Sequence, residues 1–219
     1  MNESILFYTR NDYLVINNLL YNNHEWLMRG IEMANKDAKG VMQEAIEQGV
    51  DKRWGVSKEE GEKIFAMYKR RTPEVLDDTA IKEIIERAKA DLKIILFAMK
   101  PAKTKIILYR NIRPENSLNE YKISNTIELK GLSSTSTSPS NESYGKEKTF
   151  IRYEITLPIG VPMLRASDFP HEMNEPDEVI LPPMKCKIKG TRKGDTENCM
   201  KIIQLDFVEL LVKYEEAKK

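Results

Sequence analysis

Three short stretches in the second half of the chain carry side chains suited to gripping a phosphorylated sugar. The first, Ile106-Ile107-Leu108-Tyr109-Arg110, is an apolar run closed by an aromatic residue and an arginine. A guanidinium held at a strand end presents parallel N–H donors to a phosphate or pyrophosphate. The second, Gly131-Leu132-Ser133-Ser134-Thr135-Ser136, lines up hydroxyls that can cap a helix, shape a turn or anchor a ligand. The third, Pro176-Asp177-Glu178-Val179-Ile180-Leu181-Pro182, sets a carboxylate at the head of an apolar strand. In a cleft, such a carboxylate accepts a sugar hydroxyl and stabilises a developing cation. Taken singly, each stretch has a plain structural use: a strand-closing arginine, a capped turn, a solvated acid.

Their order gives them a common meaning. Tyr109-Arg110, then Gly131 to Ser136, then Glu178 leading an apolar strand, with Tyr153-Glu154-Ile155-Thr156-Leu157-Pro158-Ile159-Gly160 between the last two, resembles the arginine-type ADP-ribosyltransferases. That family includes the actin- and Rho-modifying bacterial exotoxins. The resemblance spans roughly residues 103–212. It implies an α+β fold with a helical N-terminal layer and a mostly antiparallel two-sheet core, NAD as substrate in a cleft between the sheets, and no metal. It further implies that Arg110 holds NAD, that Ser134 supports the nicotinamide ribose and orients the acid, and that Glu178 bonds the ribose 2′-hydroxyl as nicotinamide leaves. Tyr109, Asn111, Thr135 and Ser136 join Arg110, Ser134 and Glu178 in the implied dinucleotide site.

Two positions depart from the family pattern. Leu132 replaces an aromatic residue, one apolar side chain for another. Pro176 stands two residues before Glu178, where the family carries the target-side Glu or Gln, and it has no side-chain acceptor. Glu175, one residue further back, takes that role only in a different loop geometry. The stretch Ala166 to Asn174 corresponds to the target-recognition loop, with Phe169 to press on a partner and His171 beside it. The expected activity is transfer of ADP-ribose from NAD to a macromolecular acceptor, as in a toxin or effector. A protein ranks ahead of a nucleic acid as that acceptor. An NAD glycohydrolase and a non-catalytic module of the same fold are the alternatives.

The elements that must position these residues change character near residue 100. Upstream, helical periodicity predicts Leu14–Ala34, Ala38–Gln48, a helix from a Ser57/Glu60 capping box to Pro73, and another over Ile81–Leu92 capped by Asp78 or Thr79. Trp26 and Trp54 are expected as core anchors of this layer. Downstream, β-rich runs at 104–109, 126–129, 149–157, 178–181, 185–189 and 200–212 alternate with Pro, Gly and Asn clusters. Helices first and strands later predict α+β, with a helical region over 1–100 and a β-rich NAD-binding core over 101–219. The helices also offer a docking surface for an inhibitor or delivery partner.

Composition limits the partners. Of 219 residues, 35 are Lys or Arg and 34 Asp or Glu, so no global field favours nucleic acid or membrane. The basic run Lys185, Lys187, Lys189, Arg192, Lys193 reads as the solvated face of a hairpin, with a polynucleotide acceptor as the minor alternative. Met1 to Arg10 lacks a secretory signal, and no run reaches the about eighteen apolar residues of a spanning helix. Synthesis in the cytosol is expected, with any export by a route that needs no classical signal peptide. Cys186 and Cys199 read as inert buried thiols. His24 and His171, without clustered Cys or Asp, predict no metal site.

Overall fold

The structure, a computed structural model, describes residues 3–114, 125–139, 149–169, 175 and 177–212, except the side chains of Arg10 and Asn11. The chain divides into two compact units, Met1–Ile94 and Ile95–Lys219.

In the first unit, α1 (Glu3–Phe7) passes through a π-helical turn (Tyr8–Asp12) into α2 (Tyr13–Tyr21), followed by α3 (His24–Gln48), α4 (Val50–Trp54), α5 (Lys58–Arg71) and α6 (Asp78–Ala98). The helix break falls at Asn22–Asn23 rather than between Ala34 and Ala38. Asn22 takes a left-handed conformation, with φ 52°, and its N–H donates to Leu19 O. The Asn23 side chain then accepts from Trp26 N at 3.0 Å and starts α3. Asparagine is one of the few residues that serve both ends of a helix in this way. The stretch from Ala34 to Ala38 has no comparable stop, and it buries Ala34, Asn35 and Ala38 on one face.

Ser57 caps α5 as its sequence predicts, accepting from Glu60 N at 3.3 Å. For α6 the capping acceptor is Asp77, bonded to Ala80 N at 2.8 Å, one residue ahead of the expected pair. Trp54 stacks on Tyr68 beside Phe7, Ala38 and Ile64, so it does anchor this core. Trp26 does not; it is 52% exposed and meets Tyr21 edge to face. Arg71 is buried and ion-paired to Asp12 (2.7 Å), Asp91 and Glu3, which ties α1 and the π-turn to α5 and α6.

The second unit is a nine-stranded sheet: β1 (Lys100–Pro101), β2 (Ile106–Ile112), β3 (Thr126–Leu129), β4 (Ser133–Ser136), β5 (Phe150–Leu157), β6 (Pro162–Arg165), β7 (Glu178–Leu181), β8 (Met184–Lys193) and β9 (Cys199–Leu210). Their order is β1-β6-β7-β4-β2-β5-β9-β8-β3, and only β5 and β9 run parallel. With the helices before it, this is the expected α+β architecture. Within that order, β2 meets β4 through one described pair, Tyr109↔Ser136, whereas β2 meets β5 through seven. The sheet therefore pivots at Tyr109 into two halves. Val161, Met163, Val179 and Leu181 of one half share a core with Leu108, Tyr153, Ile155, Met184, Ile203 and Leu205 of the other.

Strands β4 and β6 lie outside the sequence expectation. Ser133–Ser136 reads as a turn because hydroxyl residues dominate it. In the sheet, Ser133 and Thr135 point into the core, and Thr135 Oγ1 donates to Val179 O at 2.6 Å, which satisfies the buried hydroxyl. Cys186 and Cys199 are free and buried, and burial pushes the Cys186 thiol up to about 12.

Candidate active site

The pivot brings the three chemical stretches together. Antiparallel pairing sets Ser136 opposite both Tyr109 of β2 and Glu178 of β7, so β2, β4 and β7 are adjacent strands. The β4–β7 register also fixes the faces. Residues alternate along a strand, so Ser133, Thr135, Val179 and Leu181 go to the core. Ser134, Ser136 and Glu178 share the opposite face. On that face Ser134 Oγ donates to Glu178 Oε1 at 2.7 Å, and Arg110 Nη1 reaches across the pivot to donate to Ser134 O at 3.1 Å. An arginine, a serine and a glutamate drawn from three strands thus form one continuous chain of contacts.

The Glu178 carboxyl is half-buried. Burial pushes it above its ordinary value, the Ser134 hydroxyl pulls it back by bonding the charged form, and the nearby Glu175 carboxylate raises it further. A tight turn accounts for that neighbour: Glu178 N donates to Glu175 O at 3.0 Å, while Thr137 N donates to Asp177 O at 3.1 Å. The site therefore holds one oriented, partly desolvated carboxylate, a second exposed carboxylate beside it, and a guanidinium within reach.

Three solved structures share this arrangement of elements over nearly the whole chain. The ATR domain of Salmonella SpvB superposes with a TM-score of 0.55 at 18% identity, over 94% of this chain and 97% of that one. The catalytic domain of VahC from Aeromonas hydrophila gives 0.53 at 14% identity, over 94% and 96%. That of VsdC from the same organism gives 0.50 at 14%, over 94% and 98%. The fold is that of the bacterial mono-ADP-ribosyltransferase toxins. No protein-family model and no curated protein matches the chain, so the likeness lies in the fold.

Within this ADP-ribosyltransferase fold the remaining expected residues are placed as follows. Tyr109 is half-buried at the pivot. Ser136 Oγ accepts from Ser138 N at 3.0 Å and shapes the turn that leaves β4. Thr135 lies on the core side, away from Ser134 and Glu178. Asn111 Oδ1 accepts from Arg152 Nε at 3.2 Å. Phe169 is half-buried after a 3₁₀ turn (Ala166–Asp168), where Lys100 Nζ lies 3.2 Å from Asp168 Oδ1. Pro176, His171 and the rest of 170–174 lie outside the described residues.

The ADP-ribosyltransferase core also contains charges that sequence reasoning missed. Arg152, in the middle of β5, is 1% exposed, and its Nη1 bonds both oxygens of Asp195 at 2.9 Å. A lone arginine inside the otherwise apolar Phe150–Leu157 was the available signal. The basic face of β8 is matched by acids: Lys185 pairs with Glu209 at 3.7 Å, Arg192 pairs with Glu154 at 2.5 Å, and Lys187 lies opposite Asp206.

Proposed function

We propose that this chain cleaves the bond between nicotinamide and ribose in NAD and transfers ADP-ribose to a protein acceptor, as a toxin or effector would. The observation that carries the reading is the 2.7 Å bond from Ser134 Oγ to Glu178 Oε1, with Arg110 anchored on the same serine's carbonyl. Arg110 offers its remaining N–H donors to the pyrophosphate. Ser134 fixes Oε1, which turns Oε2 toward the ribose 2′-hydroxyl. As the C–N bond breaks, its electron pair leaves with nicotinamide, and the Glu178 carboxylate stabilises the cation that develops on the sugar. Tyr109 and Ser136 frame the nicotinamide end of the cleft, and Asn111 extends the pyrophosphate side. Thr135 serves the sheet rather than the dinucleotide.

The acceptor nucleophile then attacks the sugar's anomeric carbon and gives up a proton. The turn that sets Glu175 beside Glu178 makes Glu175 the carboxylate that receives it. Phe169 and the residues after it supply the surface the acceptor meets. A protein is favoured over a polynucleotide because the lysines and arginines of β8 are already paired with acids. A second reading, NAD glycohydrolysis, is favoured by Pro176, which leaves no side-chain acceptor two residues before Glu178.

The test is to incubate the full chain with adenylate-labelled NAD and a cell lysate, alongside Glu178→Ala. A labelled protein band lost in the variant supports transfer. Free nicotinamide and ADP-ribose without labelled acceptor support the hydrolase. No turnover by either route removes the proposal.

A further inference from the structure

We infer that Arg152 and Asp195 are positioning residues that hold the Arg110–Asn111 end of β2 in place and thereby set affinity for NAD; the inference rests on the NAD reading above. Arg152 takes no part in the chemistry proposed for Glu178, yet it is the largest fully buried side chain among the described residues. Burying a guanidinium in a central strand costs several kcal/mol unless it is fully paired. Here the pairing is specific: Asp195 grips Nη1 with both oxygens, Nε donates to Asn111 Oδ1, and the guanidinium lies 5.4 Å from the centre of the Phe150 ring.

What this grips is a weakly held strand end. From Ile106 to Tyr109, β2 runs beside β5 and reaches β4 at Ser136. Among the described residues no β4 pair continues past Tyr109, so Arg110, Asn111 and Ile112 have a ladder on the β5 side alone. The bond from Arg152 to Asn111 is a second, side-chain attachment on that stretch. It sits one residue from Arg110, whose own cross-strand neighbour is Tyr153.

Asp195 is in turn aimed by a rigid hairpin. The turn between β8 and β9 closes so tightly that a Cβ on Gly194 would stand 1.5 Å from Cys199 O. Cys199 N donates to Thr196 O at 3.2 Å, and Phe150 N donates to Asn198 O at 2.9 Å, which docks the turn on the first residue of β5. The path therefore runs from hairpin to Asp195, to Arg152, to Asn111, to the strand end carrying Arg110. It does not touch Ser134 or Glu178.

That separation dictates the experiment. NAD affinity by titration calorimetry and steady-state NAD cleavage are measured on the full chain, on Asp195→Asn, on Arg152→Lys, and on the double variant Arg152→Met with Asp195→Asn. The double variant leaves no unpaired buried charge and so stays folded even where a single change does not. Kd and KM for NAD are expected to rise about tenfold in each folded variant while kcat stays within about twofold. Melting temperatures that fall while Kd and KM hold at wild-type values would make the network merely structural and overturn the inference. A kcat loss at constant KM would overturn it too. If the wild-type chain binds no NAD, the proposed function itself falls; if it binds and the variants match it, only the positioning role falls.

Discussion

Ser134→Ala removes one hydroxyl and leaves the backbone of β4 intact. Arg110 bonds the Ser134 carbonyl, which alanine retains, so the phosphate-side anchor survives the change. What disappears is the 2.7 Å bond to Glu178 Oε1. A hydrogen bond to an ionised group contributes about 1.5–3 kcal/mol. If it is felt fully in the transition state, kcat falls about 10- to 150-fold. The variant also loses the one influence that holds the Glu178 carboxyl down, while burial and the Glu175 charge still push it up. The ionised form is the active one, so the acid limb of the pH–rate profile must move to higher pH. The assay is NAD cleavage from pH 4 to 9 at saturating and limiting NAD, with kcat and KM extracted at each pH. A kcat within about twofold of wild type, or an acid limb that stays put or moves to lower pH, refutes the reasoning.

Arg110→Lys keeps the charge but loses the fork, so KM for NAD should rise about 10- to 100-fold with a smaller change in kcat, read by the same assay. Glu178→Gln should lower kcat by about a thousandfold or more while raising the melting temperature at neutral pH. The sign follows from the raised pKa: the folded state holds the Glu178 proton more tightly than the unfolded chain, so this group's contribution is present at low pH and lost as pH rises through the folded value. The gain on substitution should therefore shrink under acid conditions, which calorimetric melts at two pH values would detect. Thr135→Val should cost about 1–3 kcal/mol in urea unfolding, because it deletes the buried bond to Val179 O, yet leave kcat per folded molecule unchanged.

The chemistry was easier to read from the sequence than the architecture around it. Arg110, Ser134 and Glu178 each sit in a local cluster whose residue types announce a use, and their order along the chain supplied the common meaning. Strand β4 was not legible, since Ser-Ser-Thr-Ser has the composition of a turn and becomes a strand only when β7 and the core claim alternate side chains. The break at Asn22–Asn23 was missed for the opposite reason: the apolar periodicity runs across it, and only the caps mark it. The buried pairing of Arg152 with Asp195 depends on which hairpin docks on which strand, a relation between residues 43 apart that no local pattern encodes.

The same separations bear on when activity appears as the chain folds. The contact that defines the site joins residues 44 apart, and the one that anchors Arg110 joins residues 24 apart. Each must close a loop before any contact rewards the closure, and strand pairings of this range form slowly compared with helices. The helical unit carries none of the three proposed catalytic side chains. A nascent or partly folded chain, however much helix it holds, is therefore inert toward its substrate, and activity switches on only when β7 zips onto β4.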